Sequence, residues 1–149
     1  MRVMRLMAVA AALALNLPAG ACGGEDGDGG TGPGGGGGLS GDCTLEWVNE
    51  GGLPEDEPMS WGTAGFRGGS LHLSGDGAWE MKIDYEDLEQ GEALTLHDQG
   101  DYDRDGSDLL FTSAAYNDEF EGEVDGDAVA LVYDFDGDGD YETEFTFVK

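Results

Sequence analysis

The sequence has few basic residues, few cysteines and few histidines. Its 149 residues include 6 Lys and Arg against 33 Asp and Glu, which gives a formal net charge of −27. A negative field of this size repels nucleic acid and anionic lipid headgroups, so we expect neither as a partner. With 2 cysteines and 2 histidines, the chain has neither a disulfide framework nor the ligand spacing of a zinc site.

Motifs of nucleophilic catalysis and phosphate binding are also missing. The sequence contains no Gly-x-Ser-x-Gly motif, and its glycine run at residues 32–38 lacks the Gly-Lys-Ser/Thr ending of a phosphate loop. The many carboxylates would allow an acid pair almost anywhere and therefore indicate no particular reaction. The sequence predicts a protein that is not an enzyme and that holds no cofactor, except weakly bound calcium in one alternative.

One long apolar run is present, and it lies near the start of the sequence. Arg2 and Arg5 precede the apolar residues 6–15, an arrangement typical of an export signal and too short to span a bilayer. Small residues then lead into Cys22. This stretch resembles the lipobox of bacterial lipoproteins, in which the cysteine thiol receives diacylglycerol and becomes the first residue after cleavage. Ordinary secretion with cleavage after Ala19 or Ala21 is the alternative.

The lipobox resemblance implies an exported chain that is held at a membrane by lipid on Cys22. Residues 1–21 are then the signal peptide, and the expected location is the cell envelope, at the outer membrane or the cell surface. Two acyl chains are enough for stable anchoring. Acylation of Cys22 would exclude a Cys22–Cys43 disulfide, in which case we expect Cys43 to be a small buried residue.

A glycine-rich segment follows Cys22. Residues 23–41 contain twelve glycines and three acids, so they have little side-chain surface to bury and would lose much backbone entropy on ordering. We therefore predict that residues 22–41 form a lipidated, disordered tether. A flexible chain of this length has a root-mean-square reach of roughly 24 Å.

Residues 42–149 show a repeated alternation of apolar and polar residues, interrupted by turn signals. The clearest hairpins have Gly75-Asp76-Gly77 between residues 70–74 and 78–85, and Asp125-Gly126 between residues 120–124 and 128–135. The pattern predicts about eight strands and no helix, with residues 50–60 as a loop. We expect an all-β domain, a small antiparallel up-and-down barrel that is monomeric, with room inside for side chains or one small ligand.

The three tryptophans are placed differently by this pattern. Trp47 alternates with Cys43 and Leu45 along the first strand, and Trp79 lies in a similar run, so both are expected to face the core. Trp61 follows the proline-containing loop and is expected at a mouth of the barrel.

The same part of the chain resembles a group of small bacterial lipoproteins that carry a lipocalin-like domain. The resemblance rests on the segments WVNEGGLP, GGSLHLSGDGAWEM, GDYDRDGSDLLFTS, FEGEVDGDAVALVY and FTFVK, and it covers nearly all of residues 43–149. It implies a lipocalin-like barrel and brings no general activity. The expected function is a lipid-anchored, non-catalytic envelope protein that binds an unidentified protein, polysaccharide or small molecule. A lipocalin-type carrier and an enzyme are further alternatives.

Two acidic segments support the alternative of a calcium-binding surface protein. Calcium loops of the EF-hand kind have carboxylates at alternate positions, a glycine at position 6 and a glutamate at position 12. The candidate ligands are Asp101, Asp103 and Asp105 before Gly106, and Asp134, Asp136 and Asp138 before Gly139, followed by Asp140 and Glu142. Both segments lack the glutamate at position 12, and hairpin turns explain them as well. Any affinity is expected in the extracellular range of roughly 0.1–1 mM.

Overall fold

Ten β-strands occupy most of residues 40–149, the part of the chain that this computed structural model describes. They are β1 (Gly41–Val48), β2 (Gly51–Gly52), β3 (Glu55–Met59), β4 (Gly62–Leu73), β5 (Ala78–Asp87), β6 (Glu92–Asp105), β7 (Asp108–Ser113), β8 (Glu119–Asp125), β9 (Ala128–Tyr133) and β10 (Thr143–Val148). The predicted signal peptide, Cys22 and residues 22–39 of the predicted tether lie outside the described residues. Within residues 40–149, no helix is long and apolar enough to cross a membrane.

Eight of the strands, β1 and β4 to β10, close into an antiparallel barrel. Successive strands from β4 to β10 pair with one another, and β1 pairs with both β10 and β4 to complete the ring. The predicted fold class, an all-β antiparallel barrel of about eight strands, is confirmed. The architecture is compatible with a lipocalin-like barrel.

Strands β2 and β3 lie where β1 and β4 separate. Residues 41–44 of β1 pair with residues 70–73 of β4, whereas the end of β1 pairs with β2 and the start of β4 pairs with β3. The prediction that residues 50–60 form a loop was therefore wrong. Pro58 is part of β3, which ends the order of paired strands, and an edge strand tolerates a proline because it needs no donor on its outer side.

The two ends of the barrel have connections of different length. One end carries the tight turns at residues 74–77, 106–107 and 126–127. Gly106 and Gly126 have φ values of 66° and 60°, the left-handed conformation that two-residue hairpin loops require. The other end, which we call the mouth, carries the longer connections at residues 49–61, 88–91, 114–118 and 134–142. Strand β1 starts at the tight-turn end.

Alternate side chains of the strands fill the barrel interior, and aromatic rings make up much of it. Trp79 is 3% exposed, and its indole N–H donates to the carbonyl oxygens of Asp101 and Thr112, at 3.0 and 3.3 Å. Its ring packs edge-to-face against Phe111 and Phe120, with centroids 5.5 and 5.3 Å apart. The predicted core position of Trp79 is confirmed, and Cys43 is likewise buried.

Trp47 does not lie in the core, contrary to the prediction from its alternation. The pairing of β1 with β10 shifts between Leu45 and Trp47, which marks a β-bulge. One extra residue in a strand turns the following side chains to the opposite face. Val48 is therefore fully buried, whereas Trp47 is 41% exposed.

Candidate functional site at the barrel mouth

The wall of the barrel is uneven at the mouth. Ser113, the last residue of β7, pairs with Gly100, so residues 92–98 of β6 extend past the end of β7. Among the strands of residues 40–149, they pair with β5 alone. The strands β5 and β6 thus form a high wall, and the connections at residues 114–118 and 134–142 lie where the wall is lower.

Phe135 closes part of the mouth from the connection at residues 134–142. Its ring centroid lies 4.9 Å from those of Phe66 and Tyr85 and 5.9 Å from that of Phe145. The backbone N–H of Ser60 donates to Asp136 Oδ2 at 2.8 Å and fixes the same connection to the opposite loop. The acidic connection is thereby attached to the barrel by one apolar and one polar contact.

A cavity of about 370 Å³ opens beside Phe135, between the high wall and the two connections. Aromatic side chains form much of its lining: Tyr116, Phe120, Tyr133, Phe135 and Tyr141. Three carboxylates also line it: Asp118, Asp134 and Asp136. No basic side chain is among the described residues that line this cavity.

A buried carboxylate lies behind the cavity wall. Asp98 is 1% exposed and accepts hydrogen bonds from Ser113 Oγ at 2.8 Å and Tyr133 Oη at 2.9 Å. The backbone N–H of Gln99 donates to the same carboxylate at 2.8 Å. Burial, followed by the nearby Asp98 charge, raises the pKa of Tyr133 well above its ordinary value. Asp98 therefore holds Ser113 and Tyr133 in fixed positions at the cavity wall.

Three of the predicted calcium ligands come together at the mouth. Carboxylate oxygens of Asp134, Asp136 and Asp138 lie within 4.8 Å of one another. Asp134 accepts hydrogen bonds from the N–H groups of Gly137 and Gly139, at 2.9 and 3.0 Å. The hydrogen bond from the Ser60 N–H lowers the pKa of Asp136 and keeps it ionised. The cluster is a group of oxygen donors of the kind that Ca²⁺ prefers.

The remaining predicted ligands are placed elsewhere. Asp140 and Glu142 lie on the same connection but are not part of the three-carboxylate group. Asp101, Asp103 and Asp105 are exposed on β6, which ends at Asp105. The hairpin turn given as the alternative for this segment is present at residues 106–107, between β6 and β7. Alternate residues on one face of a strand are about 6.6 Å apart, so these three carboxylates do not converge as in a calcium loop.

Other polar and apolar features lie away from the cavity. His72 Nδ1 is 2.6 Å from Asp42 Oδ1, and His97 Nε2 is 2.9 Å from Glu80 Oε1, both on the outer surface. Trp61 lies at the mouth as predicted, 39% exposed, with its ring centroid 6.5 Å from that of Tyr85.

The outer wall of the barrel carries a second, larger depression of about 710 Å³. Leu110, Ala130 and Val132 line it together with carboxylates such as Asp103 and Glu121. Unlike the mouth cavity, it lies on the outer face of the sheet, and no aromatic side chain is among the described residues that line it.

Asp98, Tyr116 and Asp118 were not predicted from the sequence as site residues. A signal for Asp98 was present, because Leu94 and Leu96 alternate along β6 and the next position in phase is Asp98. An acidic residue at an inward position is a candidate for a buried network. Tyr116 and Asp118 lie on a connection, where no periodic pattern indicates orientation.

Searches against models of protein families, curated proteins and solved structures each found no match to this chain.

Proposed function

We propose that the chain is a lipid-anchored, non-catalytic module of the bacterial cell envelope, with a lipocalin-like barrel that binds a ligand at its mouth. The observation that carries the proposal is the stretch of small residues before Cys22, which follows two arginines and a ten-residue apolar run. Such a stretch directs export and acylation of the cysteine in bacterial lipoproteins. The glycine-rich residues 23–41 then serve as the tether.

The direction in which the chain enters the barrel supports this arrangement. Strand β1 begins at Gly41, at the tight-turn end, where Gly41 pairs with Leu73. A chain anchored at Cys22 would therefore attach to the end of the barrel that lies opposite the mouth. The cavity, Phe135 and the acidic connection would remain accessible from the medium.

Metabolic labelling with a fatty acid tests the anchor. We expect label on the wild-type chain and none on Cys22→Ser, which should be released from the membrane fraction. Cys43→Ala is the matched control, since it removes the other cysteine, and it should keep both the label and the membrane association. An unlabelled wild-type chain found in the medium would contradict lipid anchoring.

Capture of a partner tests the binding role. The full chain, immobilised and exposed to solubilised envelope, is expected to retain a specific protein, polysaccharide or small molecule. Mass spectrometry and sugar analysis of the retained fraction would identify which of these classes it is. A chain that retains nothing and also binds no small molecule would contradict the binding role.

Calcium binding is the second candidate function, and the convergence of Asp134, Asp136 and Asp138 favours it. A calcium titration followed by melting temperature should show a rise that magnesium and sodium at matched ionic strength do not reproduce. Asp136→Asn combined with Asp138→Asn should abolish the rise. Asp101→Asn combined with Asp103→Asn changes the charge equally on β6 and should leave it intact. An absent or magnesium-equivalent rise would remove this candidate.

A further inference from the structure

The mouth cavity has the size and the lining of a ligand site. Its volume of about 370 Å³ lies near the lower end of the range for small-molecule pockets, about 300–1,000 Å³. Apolar and aromatic side chains form its walls, and carboxylates contribute its charged groups. This composition restricts the chemistry of an occupant more than the volume does.

Two exposed tyrosines stand at the cavity. Tyr116 is 61% exposed and Tyr141 is 42% exposed, the highest values for aromatic side chains among the described residues. Exposed aromatic rings add little to barrel stability, because they leave much of their surface in water. The face of an aromatic ring attracts cations, most strongly where the cation is held out of water.

The carboxylates at the cavity differ in how far the protein already satisfies them. Asp134 accepts two backbone N–H groups, and Asp136 accepts the N–H of Ser60. The side chain of Asp118 makes no hydrogen bond or ion pair with another residue in the described range. Asp118 and Asp134 line the cavity together with Tyr141, so a ligand near that ring would meet a negative field.

We propose that the mouth cavity binds a small organic cation, meaning a protonated amine or quaternary ammonium group on an apolar or aromatic body. The proposal deepens the binding role proposed above and rests on it. The apolar body lies against the aromatic walls, and the cationic group lies between Asp118 and the tyrosine rings. The net charge of −27 concentrates cations around the chain and increases their rate of encounter.

A pair of probes of nearly equal shape tests the charge requirement. Phenethylammonium and the neutral 2-phenylethanol are titrated into the full chain by calorimetry at 0.15 M NaCl. We expect saturable 1:1 binding of the cation, at least about tenfold tighter than that of the alcohol. Equal affinity for the two probes, or binding of the cation that does not saturate, would overturn the proposal.

Variants at exposed positions then test the location. Tyr116→Ala and Asp118→Asn should each weaken phenethylammonium binding by about five- to tenfold. Trp47→Ala and Asp103→Asn are matched controls, since they remove an exposed aromatic ring and a carboxylate elsewhere, and they should change affinity less than twofold. Melting temperatures confirm that all four variants fold. If the controls lost as much affinity as the cavity variants, the assignment of the binding site to the cavity would be overturned, because the overall negative charge of the chain would then explain the binding.

The ligand proposal and the anchoring proposal fail separately. A chain that carries the fatty-acid label but does not distinguish the two probes retains its anchor and loses the proposed ligand class. A chain that binds the cation at the cavity but carries no label retains the site and loses the lipid anchor.

Discussion

Replacing Tyr133 by phenylalanine tests the polar network behind the mouth cavity with the loss of one hydroxyl group. Tyr133 Oη donates to Asp98 Oδ2 at 2.9 Å, and Asp98 is 1% exposed. The loss leaves the buried carboxylate with Ser113 Oγ and the Gln99 N–H as its remaining donors. A hydrogen bond to a charged group contributes about 1.5–3 kcal/mol, so we expect a loss of about 2 kcal/mol in the free energy of unfolding. For a domain of this size, that corresponds to a melting temperature lower by roughly 10 °C.

The pH dependence of the same variant provides a second, independent expectation. Burial and then Asp98 raise the pKa of Tyr133 above the ordinary 10.0. The unfolded chain therefore loses this proton first as pH rises, and the folded chain keeps it. The stability that comes from Tyr133 is fully present below pH 10 and is lost above it, at about 1.4 kcal/mol per pH unit. Phenylalanine has no such proton. The difference in the free energy of unfolding between wild type and variant should therefore be constant from pH 7 to 9 and should become smaller above pH 10.

Urea unfolding of the full chain, followed by tryptophan fluorescence between pH 7 and 11 at constant ionic strength, measures both quantities. Tyr116→Phe is the matched control, because it removes a hydroxyl from a side chain that is 61% exposed, and it should change stability by less than about 0.5 kcal/mol. A Tyr133→Phe variant as stable as this control would refute the network. A difference in the free energy of unfolding between wild type and Tyr133→Phe that stays constant above pH 10 would refute the raised pKa of Tyr133.

Two further perturbations test the strand pairing and the attachment of the acidic connection. Gly100→Ala should destabilise the barrel by about 3 kcal/mol or more in urea unfolding, because a Cβ there would overlap the carbonyl oxygen of Thr112. Gly68→Ala is the matched control, because nothing lies within 4 Å of the added carbon, and it should be neutral or slightly stabilising. If both variants lost the same free energy of unfolding, the pairing of β6 with β7 would be contradicted. The amide resonance of Ser60 should titrate with a pKa below 3.8, since its N–H bonds to Asp136 and lowers that pKa. The contribution of this contact to stability is present above pH 4 and is lost as pH falls through the lowered pKa of Asp136. A Ser60 amide resonance whose chemical shift does not change with pH would exclude the contact.

Much of the barrel could be predicted from the sequence because its hairpins are local. The turns at Gly75-Asp76-Gly77 and Asp125-Gly126 bring together segments that alternate in phase, and both hairpins are confirmed. Failures occurred where distant pairing decides the structure. A bulge that exists only through pairing with β10 turns Trp47 outward, and an edge position lets β3 include Pro58.

The candidate site was predictable only in part for the same reason. The alternating acids Asp134, Asp136 and Asp138 lie within five consecutive residues, so their convergence could be anticipated. The contact of Asp98 with Tyr133 joins residues 35 positions apart. The cavity likewise depends on the difference in height between β6 and β7, which no local pattern shows. Short-range patterns thus identified a connection of interest but not the cavity beside it.

The position of Asp134 and Asp136 links the two ligands proposed for the mouth. Both residues line the cavity and both belong to the three-carboxylate group. Calcium on that group would neutralise part of the negative field that attracts an organic cation, so bound calcium should lower the affinity of the chain for phenethylammonium. By thermodynamic linkage, bound phenethylammonium must lower the affinity for calcium by the same factor. Titrating each ligand in the presence of the other therefore gives two measurements of that factor. Independent affinities, with both ligands bound, would show that the cation lies away from the acidic connection and near Asp118 alone.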